Sequence, residues 1–524
     1  MPQNGPQAGL RLASRPRDGS LIVQPPYLVS RPHRVQAIFG DFLGTVAVTA
    51  EHHYSKDAKR PPMRPSGILI RSSLIAALGG LLFGFDTAVI SGTTAWLKSG
   101  FVSQIAKELH PLLPSISSDG LLNFMLGFTV AGALIGTIIG SMAVGKPADA
   151  LGRRGTLFAL AALYLVSAIG CGLAWGWWSF MISRFVGGLA VGGASVVSPM
   201  YIAEISPAKY RGRLVAFTQF NIVLGILLAY LSNYVIGNLH LGPNECRWMF
   251  GVMAVPSAVF FLLLFLTPQS PRWLLAKGRV EEARRVLETC GTDTGNLEEE
   301  IKTIQVSLDI EHHTLEDPFF RRKYLKPIML AVAIAAFNQL SGINALIYYT
   351  ADIFKMAGYG KADALQQSVI IGFTNLVFTI AAMTVIDHFG RRKLMLVGSI
   401  GYIASLSAAA YSFYTHTGGA LLLGSLIVFI ASHAFGQGAV IWVFISEIFP
   451  NRVRARGQAL GSLTHWVMAA CISWTFPMFA ARSGGHTFAF YAFCMVGQLF
   501  WVLFLMPETK GISLEKIQQE LGIE

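Results

Sequence analysis

Beyond residue 66 the chain reads as long apolar runs of about 20 residues, separated by short polar gaps. Runs of that length suit helices that cross a hydrocarbon layer, each satisfying its backbone internally. Twelve are expected, near 70–95, 121–144, 156–176, 178–201, 214–236, 248–267, 326–350, 365–386, 394–414, 421–447, 457–479 and 487–506. The longest polar interruption, 268–325, falls after the sixth and divides the set into six and six. Within it, Arg279-Val-Glu-Glu-Ala-Arg-Arg-Val-Leu287 places its charges on one helical face, so short surface helices are expected there. Residues 1–66 are rich in Pro, Arg and polar side chains, with one apolar run at Val35–Ala50. That run is too short to span and lacks the layout of a cleaved signal peptide. The segment is expected to be a disordered cytoplasmic tail, with Met63 an alternative start. The organisation is therefore a tail (1–66), a six-helix half (67–267), a linker (268–325), a second six-helix half (326–506) and a C-terminal tail (507–524).

Composition sharpens this. Of 524 residues 53% are hydrophobic and only 13% charged, against roughly 25% charged in soluble proteins. The chain is expected to be an all-α membrane protein whose principal partner is the lipid bilayer. The net charge of +12 gathers at Lys146/Arg153/Arg154, Lys209/Arg211/Arg213, the central linker, Arg391/Arg392/Lys393 and Arg452/Arg454/Arg456. All of these join an even-numbered helix to an odd-numbered one, so they mark one membrane face rather than a nucleic-acid site. By the positive-inside rule that face, with both termini, is cytoplasmic. Cys171, Cys246, Cys290, Cys471 and Cys494 lack paired or metal-like spacing, and no metal or cofactor is implied. Trp175, Trp177 and Trp178 lie at the opposite boundary and are expected to be interfacial anchors.

The chain also repeats itself. Asp149-Ala-Leu-Gly-Arg-Arg154 returns as Asp387-His-Phe-Gly-Arg-Arg392, and Glu204-x6-Arg211 returns as Glu447-x6-Arg454. The order and near-constant offset predict two parallel halves, the plan of many secondary transporters. Asp149, Arg153, Arg154, Glu204 and Arg211, with Asp387, Arg391, Arg392, Glu447 and Arg454, can form ion pairs at the cytoplasmic helix ends. Such pairs would latch the halves when that side is closed. Asp86 and Arg184 fall at similar depth inside the first and fourth helices. An unpaired charge there would cost several kcal/mol, so the two are expected to meet.

Taken together, Gly80-Leu-Leu-Phe-Gly-Phe-Asp86, Arg184-Phe-Val-Gly-Gly188, Pro199-Met-Tyr-Ile-Ala-Glu204, Pro268-Gln-Ser-Pro-Arg-Trp273, Gln339-Leu-Ser-Gly-Ile-Asn344, Ser446-Glu-Ile-Phe-Pro450 and Pro507-Glu-Thr-Lys-Gly511 resemble the sugar porter family of the major facilitator superfamily, over about residues 70–515. The resemblance implies the major facilitator fold: twelve transmembrane helices in two six-helix halves with short cytoplasmic linker helices. It implies a monomeric transporter in the inner (plasma) membrane, not an enzyme, that carries a neutral monosaccharide inward with a proton by alternating access. Asp86 and Arg184 map onto the proton-coupling pair. Gln219, Asn338, Gln339, Asn344, Tyr348, Asn375, Trp442 and Trp466 map onto the sugar contacts, with His465 standing where an amide is common.

These residue types suit the task, because an amide offers two donors and an acceptor, and an indole covers an apolar sugar face. An isolated amide in a span ordinarily serves interhelical hydrogen bonding, but Gln339 and Asn344 flank Gly342, which permits local unwinding towards a cavity. Departures qualify the match beside His465, among them Ile226, which removes a polar contact that the resemblance implies for some members. Asn338 is one methylene shorter than the usual Gln. Gln269 replaces the acid of the usual Pro-Glu-Ser-Pro-Arg and is expected to weaken an ion pair. Ala439 stands where Pro is frequent, leaving a hinge to Gly436 and Gly438. The alternatives to symport are a facilitated-diffusion carrier of a sugar or polyol and, against the short tail after Pro507, a non-transporting sugar sensor.

Overall fold

The computed structural model describes residues 66–291, 297–313, 318–417, 419–450, 452–512 and 514–523. The expected N-terminal tail, with Val35–Ala50 and Met63, lies outside these. Helix dominates and no strand occurs among the described residues. Eleven helices are long and apolar enough to cross a membrane: Gly67–Gly92, Ser118–Ala143, Gly152–Gly172, Trp177–Ile205, Lys209–Asn238, Gly242–Leu266, Arg322–Met356, Lys361–Val385, Arg391–Thr415, Gly419–Ile448 and Gly484–Phe504. A twelfth, Arg454–Ala480, precedes the last; Gln458, Thr464 and His465 dilute its apolar character. In chain order these are spans one to twelve.

The sequence repeat has a packing counterpart. Span one packs on five as seven packs on eleven, two on four as eight on ten, and three on six as nine on twelve. The halves meet through spans two and eleven and, symmetrically, through five and eight. The named contacts across that seam lie towards the face opposite the linker. Trp474 packs on Phe124 and Phe128 (ring centroids 5.2 and 5.0 Å). Tyr230 donates to the Ile347 carbonyl at 2.8 Å, and the Ala351 amide donates to Ser91 Oγ at 3.1 Å. Glu245 and Lys361 form an ion pair of 2.5 Å at the rim. Deeper, Phe83 meets Trp466 at 5.5 Å. With these contacts gathered on one side, we take the space between the halves to open towards the linker face.

Two spans are interrupted. Span seven divides into Leu325–Leu340 and Ile343–Met356 at Gly342, whose φ of 85° is a left-handed conformation that glycine adopts freely. The unwinding expected from the sequence is present. Span ten carries a π-helical turn, Ala434–Gly438, at the glycines where the sequence leads one to expect a hinge.

The linker forms Pro271–Ala276, Val280–Cys290 and Leu297–His313, whose Leu274, Leu275, Ala283, Leu287 and Ile301 make a small separate core. Cys290, at the end of the second of these helices, is buried instead with the main core, and that burial pushes its thiol up to about 11. After span twelve a short helix, Leu514–Leu521, buries Ile517 and Leu521 against the foot of the second half, and Lys326 Nζ donates to the Glu520 carbonyl at 3.0 Å.

One expectation needs correction. Trp175 and Trp178 are 87% and 67% exposed, as anchors should be, but Trp177 is only 7% exposed. Its indole N–H donates to Thr129 Oγ1 at 2.8 Å, tying span four to span two. A buried indole keeps its N–H by finding such an acceptor.

Candidate functional site

Asp86 and Arg184 do meet. Arg184 Nη1 donates to Asp86 Oδ1 at 2.6 Å, and both side chains are buried. The guanidinium carbon also lies 5.6 Å from the Phe250 ring centroid. Its Nε and Nη2 find no hydrogen-bond partner among the described residues. A charge so placed rests largely on one carboxylate, because burial removes the solvent that would otherwise screen it. Tyr348, from the other half, is buried and close enough to interact electrostatically with both charges. The charged pair of one half therefore borders the broken helix of the other.

Around that break the polar groups converge. Gln339 Nε2 donates to Asn338 Oδ1 at 2.9 Å and reaches the His465 ring nitrogens at 3.3 Å. Asn344 Nδ2 donates to Gln339 Oε1 at 2.8 Å. Ser341 Oγ donates to the Asn338 carbonyl at 2.6 Å and accepts from the Ile343 amide at 3.3 Å, bracing the turn at Gly342. His465 lies between two indoles, 5.2 Å from Trp442 and 5.0 Å from Trp466. Trp466 is buried, whereas Trp442, well inside span ten, keeps 39% of its surface exposed and lines the open cavity. The structure thus brings Asn338, Gln339, Asn344, Trp442, His465 and Trp466 together. Asn375 is buried in span eight, where Thr379 donates to its Oδ1 at 3.4 Å, and half-buried Gln219 lies on span five. Among the described residues no hydrogen bond joins either to the cluster.

The repeated acidic and basic residues occupy equivalent positions at the feet of the two halves. Arg153 pairs with Glu204 at 3.0 Å and with Asp149 at 3.3 Å; Arg391 pairs with Glu447 at 2.9 Å. In this conformation the pairs close within a half, each joining its third helix to its fourth. The side chain of Asp387 lies outside the described residues. Arg154 donates to the carbonyls of Leu264 and Phe265, and Arg392 does the same to Val502 and Leu503. Arg211 and Arg454 also reach carbonyls, of Ala203 and Ser206 and of Phe449.

The substituted position, Gln269, behaves otherwise than expected. Its Oε1 accepts the backbone N–H of Arg154 at 3.0 Å, as Glu508 accepts those of Arg391 and Arg392 at 2.9 and 3.1 Å. The role is a cap on a helix start, which a neutral amide oxygen also fills, so no side-chain ion pair is weakened. Ser270 and Thr509, one residue on in each copy, donate to Glu204 and Glu447 at 2.5 and 2.6 Å.

Sequence reasoning passed over His433, Tyr402, Gln437 and Gln498, which form a buried polar chain beside the cluster. Each is a lone polar residue in an apolar run, and only its packing reveals the chain. The Glu245–Lys361 pair was also missed, since its partners stand at the starts of spans six and eight, in different halves. A cavity of about 380 Å³ on that face, lined by Trp96, Glu245, Lys355 and Lys361, lies outside the seal, away from the cluster.

Comparison with known proteins agrees with this architecture. The sugar (and other) transporter family profile matches residues 72–521. The D-xylose-proton symporter of Escherichia coli K12 is 36% identical over 484 residues, covering 86% of this chain and 96% of that protein. The arabinose-proton symporter of Bacillus subtilis is 35% identical over 460 residues, with 86% and 95% covered. Among solved structures, the E. coli xylose transporter in a partially occluded inward-open conformation superposes with a TM-score of 0.75 at 35% identity, over 86% of this chain and all of the other.

Proposed function

The chain belongs to the sugar transporter family, and on that premise we propose that it imports a neutral monosaccharide, a pentose or hexose, together with a proton. It is a multi-span membrane transporter and not an enzyme. The observation that carries the coupled reading is the junction between halves, where the buried Asp86–Arg184 pair at 2.6 Å borders Tyr348 and the broken helix holding Gln339 and Asn344. Sugar would dock on the amides, Tyr348 and His465, with Trp442 and Trp466 against its apolar face. Gln219 and Asn375 would join as the halves close on it. Relatives described as proton symporters of xylose and arabinose support the same substrate class.

The pair supplies the coupling chemistry. Ionised, Asp86 holds Arg184 with a charge-assisted hydrogen bond. Protonated, it loses the charge that compensates a buried guanidinium, and Arg184 must seek other partners. Protonation thereby loosens spans one and four beside the seam on which the halves rock. The feet pairs Arg153–Glu204 and Arg391–Glu447 would keep each half rigid during that motion, and rearrange when the linker face closes. We assign the linker face to the cytoplasm from its Lys and Arg residues, with both termini there and the membrane the inner or plasma membrane. The cavity is then inward-facing. The working unit is a monomer, since one chain encloses one pathway, and no cofactor takes part.

The test is uptake into liposomes under an imposed inward proton gradient, with labelled monosaccharides outside and a pH-sensitive dye inside. Uphill accumulation with lumen acidification, both abolished by Asp86→Asn, is the expected result. Equilibration indifferent to the gradient would make the protein a facilitator. No flux across a broad panel of sugars and polyols, from folded protein, would overturn transport.

A further inference from the structure

The polar chain behind the cluster runs in one direction. Ser399 Oγ donates to the Met395 carbonyl at 2.7 Å, which leaves its oxygen to accept from Gln498 Nε2 at 2.8 Å. Gln498 Oε1 accepts from Gln437 Nε2. Gln437 Oε1 then needs a donor, because both amides are fully buried. Tyr402 Oη–H supplies it at 3.3 Å. Having given its only proton to Gln437, Tyr402 can only accept from His433, whose Nδ1 lies 2.6 Å away. The proton of the neutral imidazole is therefore on Nδ1, and Nε2 is left as a bare acceptor. His433 Nε2 makes no hydrogen bond among the described residues.

That acceptor lies on the face of span ten that carries Gly438 and Trp442. The π turn places Gly438 beneath His433, whose Cδ2 and Nε2 stand 3.2 and 3.3 Å from where a Cβ on Gly438 would be. A side chain there would press on the ring, and glycine leaves it room to lie along the helix. Four residues further, on the same face, comes Trp442, which lines the cavity and packs on His465. The two imidazoles are near enough to interact electrostatically. His433 is half-buried, as expected for a side chain at the cavity wall.

We propose that His433 is a further specificity-determining residue of the transport site, its Nε2 accepting a hydrogen bond from one hydroxyl of the monosaccharide. Tyr402 is the positioning residue that fixes the accepting tautomer, and Gln437, Gln498 and Ser399 orient Tyr402. The proposal rests on the reading of the protein as a monosaccharide carrier. It gives the span-seven amides, which can donate and accept, an acceptor-only neighbour. A substrate hydroxyl pointing at span ten must donate, so an analogue with hydrogen or fluorine at that carbon is rejected.

The test is equilibrium binding to purified protein of the labelled sugar that wild type binds, with competition by its complete set of monodeoxy analogues. Wild type, His433→Phe, His433→Gln and Tyr402→Phe are compared, with thermal unfolding of each as the check on folding. One analogue should bind wild type about 10-fold more weakly than the parent sugar, the loss of a hydrogen bond to a buried group. His433→Phe should weaken the parent sugar by a similar factor and leave that one analogue unchanged. His433→Gln, whose amide oxygen also accepts, should restore part of the loss. Tyr402→Phe, which frees the tautomer, should weaken the parent sugar less than His433→Phe while sparing the same analogue. Equal losses across the whole series, or unchanged binding by folded His433→Phe, would overturn the proposal and leave sugar transport standing. Failure of wild type to bind any sugar would overturn both.

Discussion

Replacing Asp86 by Ala strips the buried Arg184 of the one charge that compensates it. Arg184 is fully buried, and its Nε and Nη2 already lack hydrogen-bond partners among the described residues. What remains is its stacking on Phe250 at 5.6 Å, a contact worth about 0.5–2 kcal/mol. Removing one member of a buried pair typically costs about 3–5 kcal/mol, mostly as the penalty of an orphaned charge. Asp86→Asn also removes the counter-charge but should cost less, because an amide oxygen can still accept from Nη1. The double variant Asp86→Ala/Arg184→Leu should recover much of the Asp86→Ala loss, since no charge is then stranded. Thermal unfolding in detergent, followed by intrinsic fluorescence, ranks the four proteins. The expected order of melting temperature is wild type, Asp86→Asn, the double variant, then Asp86→Ala. Equal melting of Asp86→Ala and wild type, or a double variant no better than Asp86→Ala, would refute the claim that Arg184 depends on this partner.

Other outcomes follow from separate parts of the molecule. Gly342→Ala puts a side chain at φ 85° and its Cβ 2.7 Å from the Tyr491 ring, so it should destabilise by about 1–3 kcal/mol and weaken sugar binding together with stability; unchanged binding would refute the role of the break. Lys361→Glu sets a like charge beside Glu245 at the rim and should shift the population towards the opposite-open state a few-fold, read by spin-label distances across the rim. The reversed pair Glu245→Lys/Lys361→Glu should restore it, and no shift in either would show the pair to be incidental. Trp177→Phe loses the bond to Thr129 and should cost about 1 kcal/mol, whereas Trp178→Phe should leave the melting temperature unchanged. With its thiol pushed up to about 11, Cys290 should be about one part in a thousand thiolate at pH 8 and resist alkylation until the linker helices unfold. Rapid labelling of native protein would refute the packing of that linker helix against the main core.

The gross architecture was legible because membrane spans write themselves as length and apolarity, and because the chain carries its motifs twice. The Asp86–Arg184 pair was legible for a related reason: a charge deep in an apolar run has few ways to be satisfied. Partner choice at the helix feet was not. Glu204 and Arg211 look like a pair in sequence, yet Glu204 takes Arg153 and Ser270, because the turn after span four aims Arg211 at its own carbonyls. Gln269 looked like a lost charge, but its neighbours ask only for an acceptor. Three adjacent tryptophans were indistinguishable by position, and only helix rotation buries Trp177. His433 was invisible for the converse reason to Asp86. A neutral imidazole in a span can be satisfied in many ways, and the direction of its hydrogen bonds is set by residues in its own span and in two others.

The seal between the halves also has an electrical consequence. An aqueous cavity conducts, so a membrane voltage does not fall evenly through this protein but concentrates across the thin plug formed by Trp474, Tyr230, Ser91 and their neighbours. A full elementary charge moved through 100 mV is worth about 2.3 kcal/mol. In the conformation described here that field bypasses the open cavity and is felt from the opposite side, along the last stretch of span one above Asp86. A proton taken up with the opposite side open and released through this cavity would cross most of the voltage as the plug changes sides, and the rate of turnover should steepen with membrane potential even where the sugar carries no charge at all.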